Sequence, residues 1–150
     1  MTTRPPAAMR RAVTKRAGDR CEYCLIPQAY SASTHQVDHV IAEKHGGDTS
    51  LDNLALSCAV CNRRKASDIS SNDPQTGELA RLFNPRTQSW SDHFRLENGR
   101  FIGLTAEGRT TVEFFKLNAY DRVVEREDLL EAGVSFEVDD RIRKERDAEN

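Results

Sequence analysis

The four cysteines of this chain fall into two C-x-x-C pairs, "CEYC" (Cys21, Cys24) and "CAVC" (Cys58, Cys61), with 33 residues between them. No other feature restricts the fold as much. Two such pairs supply four thiolates, the ligand set of a closed tetrahedral zinc site with no position open for chemistry. Disulfides are the alternative, but reducing conditions disfavour them in a chain that carries no export signal. A redox C-x-x-C needs only one pair and an α/β setting, which this sequence does not offer. The expectation is a structural zinc site, with an insert built between the knuckles and clamped by them.

The 150 residues suffice for about one domain with one modest core. Hydrophobic content of 37% against 31% charged residues describes a soluble protein with long solvated stretches. No apolar run approaches the ~20 residues needed to span a bilayer, and "MTTRPPAAMRRAV" has no apolar core of signal-peptide length. The expectation is cytoplasmic residence and no membrane partner. The net charge of −2 argues against a simple nucleic-acid-coating protein, yet it is unevenly spread. Residues 1–20 carry six Lys/Arg against Asp19 alone, whereas residues 121–150 carry eleven Asp/Glu against six Lys/Arg.

Along the chain, "AAMRRAVTKRAG" (7–18) reads as a short helix closed by Gly18. "STHQVDHVIA" (33–42) alternates as a strand or two strand arms around a bend, and "HGGDTS" (45–50) is turn chemistry. "LDNLALSC" (51–58) leads into the second knuckle, and a helix is expected to start at "CNRRKAS" (61–67). "SSNDPQTGE" (70–78) reads as loop and "LARLFNP" (79–85) as a candidate strand, with Trp90 and Phe94 as the later apolar anchor. "FRLENGRFIGL" (94–104) predicts a hairpin about Asn98-Gly99. Thr105 can cap a helix over 106–118 with Val112, Phe115 and Leu117 as core candidates. A second helix is expected over 119–132, and the final "DDRIRKERDAEN" is expected to be mobile.

One juxtaposition stands out in "HQVDHVIAEKHGG" (35–47): Asp38 beside His39 within a strand. Neighbours on a strand point to opposite faces, so at least one of them needs a partner that repays a carboxylate or an imidazole. The insert and second knuckle together read Asp38-His39, Gly46-Gly47, Asp52-Asn53-Leu54, then C-x-x-C-N-x-x-K over 58–65. This ordered set resembles the HNH endonuclease family, whose ββα-metal (His-Me finger) module often carries a four-cysteine zinc site. The resemblance implies an α+β fold: a ββα-metal module with structural zinc knuckles, followed by a β-hairpin and C-terminal helices. It implies a nuclease domain over 1–118 (motif core 21–67, extension 68–118) and a C-terminal helix and charged tail over 119–150.

The resemblance assigns roles by position. His39 is the general base, Asp38 a ligand of a divalent metal, Asn53 the residue orienting the loop and base, and Asn62 the second ligand. The last position is often His in the family; the Asn here favours Mg²⁺ or Mn²⁺ over zinc as catalytic metal. The chemistry is coherent in itself. Imidazole, with an unperturbed pKa of ~6.5, suits removal of a proton from water, and a metal on Asp38 and Asn62 can act as Lewis acid on phosphate.

Arg63, Arg64 and Lys65, with Arg10, Arg11, Lys15 and Arg16, are candidate phosphate contacts, which position nucleic acid without specifying sequence. His45 reads as a surface turn histidine, His35 as structural support, and His93 as packed near Trp90. Two readings follow: a metal-dependent nuclease acting on DNA (RNA remains open) that nicks, or a zinc-stabilised nucleic-acid-binding module without hydrolytic activity. A double-strand break would need a homodimer or two visits, and residues 79–132 could serve such pairing or shape the DNA groove.

Overall fold

The fold was analysed in a computed structural model that describes residues 2–138. The tail expected to be mobile lies, from residue 139 onward, outside the described residues. Helices and antiparallel two-stranded sheets alternate along the chain, and the contacts divide it into two units. Residues up to Asp68, joined by Asn84–Thr87, form the first; Ile69–Phe83 and Gln88–Val138 form the second.

In the first unit, helix α1 (Ala7–Arg16) follows Pro6, whose fixed φ suits a helix entrance, and ends with Lys15 and Arg16 at its negative pole. Strand β1 (Gln36–His39) pairs antiparallel with β2 (Leu54–Ser57) in the register Gln36↔Ser57 to His39↔Leu54. Val13 and Ala17 of this helical segment pack on Leu54 and Leu56, with Met9, Val37 and Leu51 at the margin. This apolar cluster is small, and polar side chains reinforce it. Arg16 is buried, its guanidinium donating to Leu51 O at 2.9 Å and Leu54 O at 2.8 Å. Glu22, between the first two cysteines, is fully buried; its carboxylate accepts from Leu56 N at 2.8 Å and pairs with Arg86.

Helix α2 (Ala59–Lys65) begins two residues earlier than the sequence predicts. The cause is Cys58, which serves as its N-cap, with Sγ accepting from Cys61 N at 3.4 Å. Cys61 is thereby inside the helix rather than at its start.

In the second unit, β3 (Ser70–Asn72) pairs with β4 (Leu79–Arg81), so part of the stretch expected to be loop is strand. The alternation signal is weak there because Ser-Ser-Asn carries no apolar residue; the pairing is set by the turn. Asp73 closes that turn by accepting from Gln75 N, Thr76 Oγ1 and the Arg109 guanidinium. Helix α3 (Trp90–His93) leads directly into the hairpin of β5 (Phe94–Glu97) and β6 (Arg100–Gly103). Both hairpin-tip residues, Asn98 (φ 49°) and Gly99 (φ 79°), take the left-handed conformation that a two-residue turn of this twist needs.

Thr105 caps α4 (Ala106–Phe114), its Oγ1 accepting from Gly108 N. His93 is fastened to that same hydroxyl at 2.6 Å and its ring lies 5.9 Å from Phe83, so Phe83 is a ring neighbour the sequence did not suggest. Phe83, Trp90, Phe94 and Phe101 form an aromatic core with centroids 5.2–5.9 Å apart. Phe115 and Leu117 are buried as expected, while Val112 is only half-buried.

The division at 118/119 expected from sequence does not separate α5 (Tyr120–Glu131) from the extension. Arg126 of α5 is fully buried, stacks 4.7 Å from the Phe101 ring, and donates to Gly99 O and Leu117 O. A buried guanidinium needs acceptors, and main-chain carbonyls on two sides supply them.

Candidate metal centre and active site

The four cysteine Sγ atoms lie within 4.8 Å of one another and all four residues are buried. Cys24 Sγ and Cys58 Sγ are 3.7 Å apart. That is far beyond the ~2.0 Å of a disulfide. It matches the roughly 3.8 Å between two sulfurs that each lie ~2.3 Å from a tetrahedral zinc. The donor set and its spacing fit a structural zinc ion. The first knuckle is wrapped by Cys21 N donating to Ile26 O and Leu25 N donating to Cys21 O, with Leu25 in the left-handed conformation (φ 68°). Hydrogen bonds from Cys21, Cys24 and Cys61 hold the Cys58 thiol far below its ordinary pKa, so the cluster favours negative charge on the sulfur that also caps α2.

The hairpin that the cluster clamps carries a second arrangement. Asp38 and His39, from the end of β1, line one cavity of about 410 Å³ together with Asn62 of α2, Glu43 and Thr2. Adjacent strand residues diverge, yet both reach this cavity because the chain leaves the strand straight after His39 and Val40 N donates to Asn53 O. His39 is buried (4% exposed), with Nε2 2.9 Å from Thr49 Oγ1 and 3.5 Å from Glu43 Oε1. Burial pushes the Asp38 carboxyl above its ordinary pKa, opposed by the Lys65 ammonium and by the His39 main-chain N–H. Asn62 donates from Nδ2 to Gln36 Oε1 at 3.1 Å, which leaves its Oδ1 as the free acceptor of that amide.

Asn53 does not line the cavity; it fastens the loop behind it. Its Oδ1 accepts from Ile41 N, and its Nδ2 donates to Ile41 O and Asp48 O. Gly47 lies against this staple so closely that a Cβ there would fall 1.8 Å from Ile41 O and 2.7 Å from Asn53 Nδ2. Only glycine fits.

The basic residues separate into two groups. Arg11, Lys15 and Arg63 are exposed and Arg64 is half-buried. Arg16 and Lys65, expected at the phosphate-facing surface, are instead interior. Arg16 is consumed by the Leu51 and Leu54 carbonyls, and Lys65 is 3% exposed with Nζ donating to His39 O at 3.3 Å. The reason is the same for both: each terminates a helix and reaches main-chain carbonyls of a neighbouring segment. Arg10 is half-buried and tied to Pro5 O. His35 is buried and His45 lies exposed in its turn. Thr49 and Glu43, which flank the His39 ring, were absent from the sequence reading. Both sit in an irregular loop where spacing carries no directional information.

These features define a class. Residues 21–68 match the family model described as HNH endonuclease. Over 115 residues the chain is 26% identical to the Septu protein PtuB of Bacillus thuringiensis, covering 75% of this chain and 42% of that one. The chain thus spans less than half the length of that curated relative. No solved structure matches. Among the described residues, no helix is long and apolar enough to cross a membrane.

Proposed function

We propose that this protein is a metal-dependent endonuclease that hydrolyses phosphodiester bonds in DNA, nicking one strand at a time, through a ββα-metal site formed by β1, β2 and α2. The observation that carries this reading is the convergence of Asp38, His39 and Asn62 on one cavity inside the HNH-matching segment. The donor set there, a carboxylate and an amide carbonyl in an open cavity, fits a hard divalent cation that keeps several waters. Asp38 and Asn62 would hold Mg²⁺ or Mn²⁺, which when bound supplies Lewis-acid stabilisation of the charge that develops on phosphate oxygens.

The remaining work falls to the chain's own side chains. His39 takes the proton of the attacking water. With Nε2 held as donor toward Thr49 Oγ1 and the Glu43 carboxylate, Nδ1 is the basic nitrogen. Asn53 keeps the 41–53 loop at the distance that places those two partners. Arg63 and Arg64 on α2, and Arg11 and Lys15 on α1, are offered to flanking phosphates. Lys65 and Arg16 act from the interior on the main chain.

Supercoiled plasmid incubated with the zinc-loaded protein in Mg²⁺, Mn²⁺ or EDTA tests this directly. The expected result is conversion to open circle in either cation and none in EDTA, with His39→Ala reduced by at least about 10²-fold. Salt-sensitive plasmid binding with no cleavage in any metal would instead identify a non-hydrolysing binding module.

A further inference from the structure

A second pocket, of about 630 Å³, opens on the other half of β1, bounded by Arg4, Arg10, Thr34, His35, Gln36 and Val37. Its size is within the range that encloses a small organic ligand. It contains two guanidinium groups, and no carboxylate lines it among the described residues. Arg10 has one Nη1 donor anchored on Pro5 O at 2.6 Å, which fixes the guanidinium and leaves its other N–H groups uncommitted among the described residues.

His35 is the decisive residue. It is 5% exposed, and its Nε2 lies 2.9 Å from Ile26 O. A carbonyl oxygen only accepts, so Nε2 carries the hydrogen and Nδ1 presents a lone pair. That Nδ1 is buried and has no hydrogen-bond partner among the described residues. A buried acceptor without a donor is costly, and here it belongs to a residue lining an open, cationic pocket.

We propose that this pocket is a subsite for one unpaired nucleotide of the substrate strand, with Arg4 and Arg10 on its phosphate and His35 Nδ1 accepting from an N–H of its base. Every base carries such an N–H on its pairing edge, and that edge is available only when the base is unpaired. The subsite adjoins the cavity of Asp38 and His39. Gln36 lines the pocket and its Oε1 accepts from Asn62 of the cavity. Two residues of strand, about 7 Å, separate Gln36 from Asp38, the reach of one nucleotide unit along a backbone. The assignment of a strand as ligand rests on the nuclease reading; the nucleotide chemistry of the pocket does not.

The test is ¹⁵N NMR of the histidine rings in the zinc-loaded full chain without Mg²⁺. A deoxynucleoside 5′-monophosphate is expected to move the His35 Nδ1 resonance, whereas inorganic phosphate and deoxyribose 5-phosphate leave it in place. The Arg4→Gln/Arg10→Gln double variant should weaken the mononucleotide about tenfold or more, the effect of losing charged hydrogen bonds. A short single-stranded oligonucleotide should displace the mononucleotide, and a blunt perfect duplex should not. An unmoved His35 resonance, or an equal shift with phosphate alone, overturns the subsite. Displacement by duplex as well as by single strand overturns the unpaired-strand assignment. Plasmid cleavage is read separately, so its failure with the His35 shift intact removes the nuclease and leaves the nucleotide site.

Discussion

The two units solve the problem of a small core in different ways. The first has an apolar cluster of a few aliphatic residues, Val13, Ala17, Leu54 and Leu56, and relies on four sulfurs and a set of buried polar clamps. The second packs Phe83, Trp90, Phe94 and Phe101, with three edge-to-face pairs and a tilted Trp90–Phe94 pair, and has no cysteine. Aromatic side chains bury large areas each and add pairwise ring contacts, so the second unit can be stable without a metal. The first is expected to depend on its metal, because in such sites metal-binding energy is folding energy. The unit with the candidate chemistry is then the one whose order would be conditional.

The single tryptophan makes this contrast measurable, since Trp90 lies in the second unit. The largest expected effect is that of Cys58→Ser or of chelation. Zinc content and the dispersed signals of residues 36–65 should be lost while the Trp90 emission keeps its buried wavelength. A Cys58→Ser protein with unchanged zinc content and melting temperature would break the comparison at its root. Next in size, Phe101→Ala should destabilise the second unit by about 3–5 kcal/mol, lowering the Trp90 transition and leaving zinc content unaltered.

Thr105→Ala removes the cap of α4 and the partner of His93, and should cost about 1 kcal/mol in the same transition. The smallest effect is acid sensitivity. Hydrogen bonds from Arg109, then from Gln75 N, hold the Asp73 carboxyl down to about 2, against an ordinary value near ~3.9. A depressed carboxyl contributes its stability above the unfolded pKa and loses it as pH falls through the folded one. The Trp90 melting temperature should therefore fall between about pH 4 and pH 2. Arg109→Gln should flatten that part of the curve, and an identical slope in the variant would remove this pair from the account.

What was legible in the sequence was whatever is fixed by local chemistry or by short spacings. The C-x-x-C pairs gave the metal cluster, Asn98-Gly99 gave the hairpin, and Thr105 gave a helix start. The resemblance of the ordered set through Asp38-His39 and Asn62 to the HNH family named three side chains that line one cavity. What escaped depends on contacts distant in the chain. Arg16 and Lys65 look like surface cations until the carbonyls of Leu51, Leu54 and His39 are brought beside them. Arg126 reads as one more charge on a solvated helix, yet it is the largest fully buried side chain described. Ser70–Asn72 has no strand pattern of its own and is a strand because Asp73 turns the chain back upon it. The loop partners of His39, Thr49 and Glu43, follow from the staple made by Asn53, and no periodicity points to them.

Cys58 belongs both to the sulfur cluster and to the start of α2, and Asn62 N donates to Cys58 O at 2.9 Å. In mechanical terms Asn62 sits at the end of a very short lever. Four residues of helix span only about 6 Å along the axis, so a tilt of ~10° about the pinned sulfur displaces the amide by about 1 Å. Such a displacement is of the size that can cost a reaction about two orders of magnitude. Had the same amide been carried three turns out, the same tilt would move it by roughly three times as much. Anchoring the helix at its first residue therefore sets the positional tolerance of the cavity, and a fluctuation that the rest of the fold absorbs without consequence reaches Asn62 already attenuated.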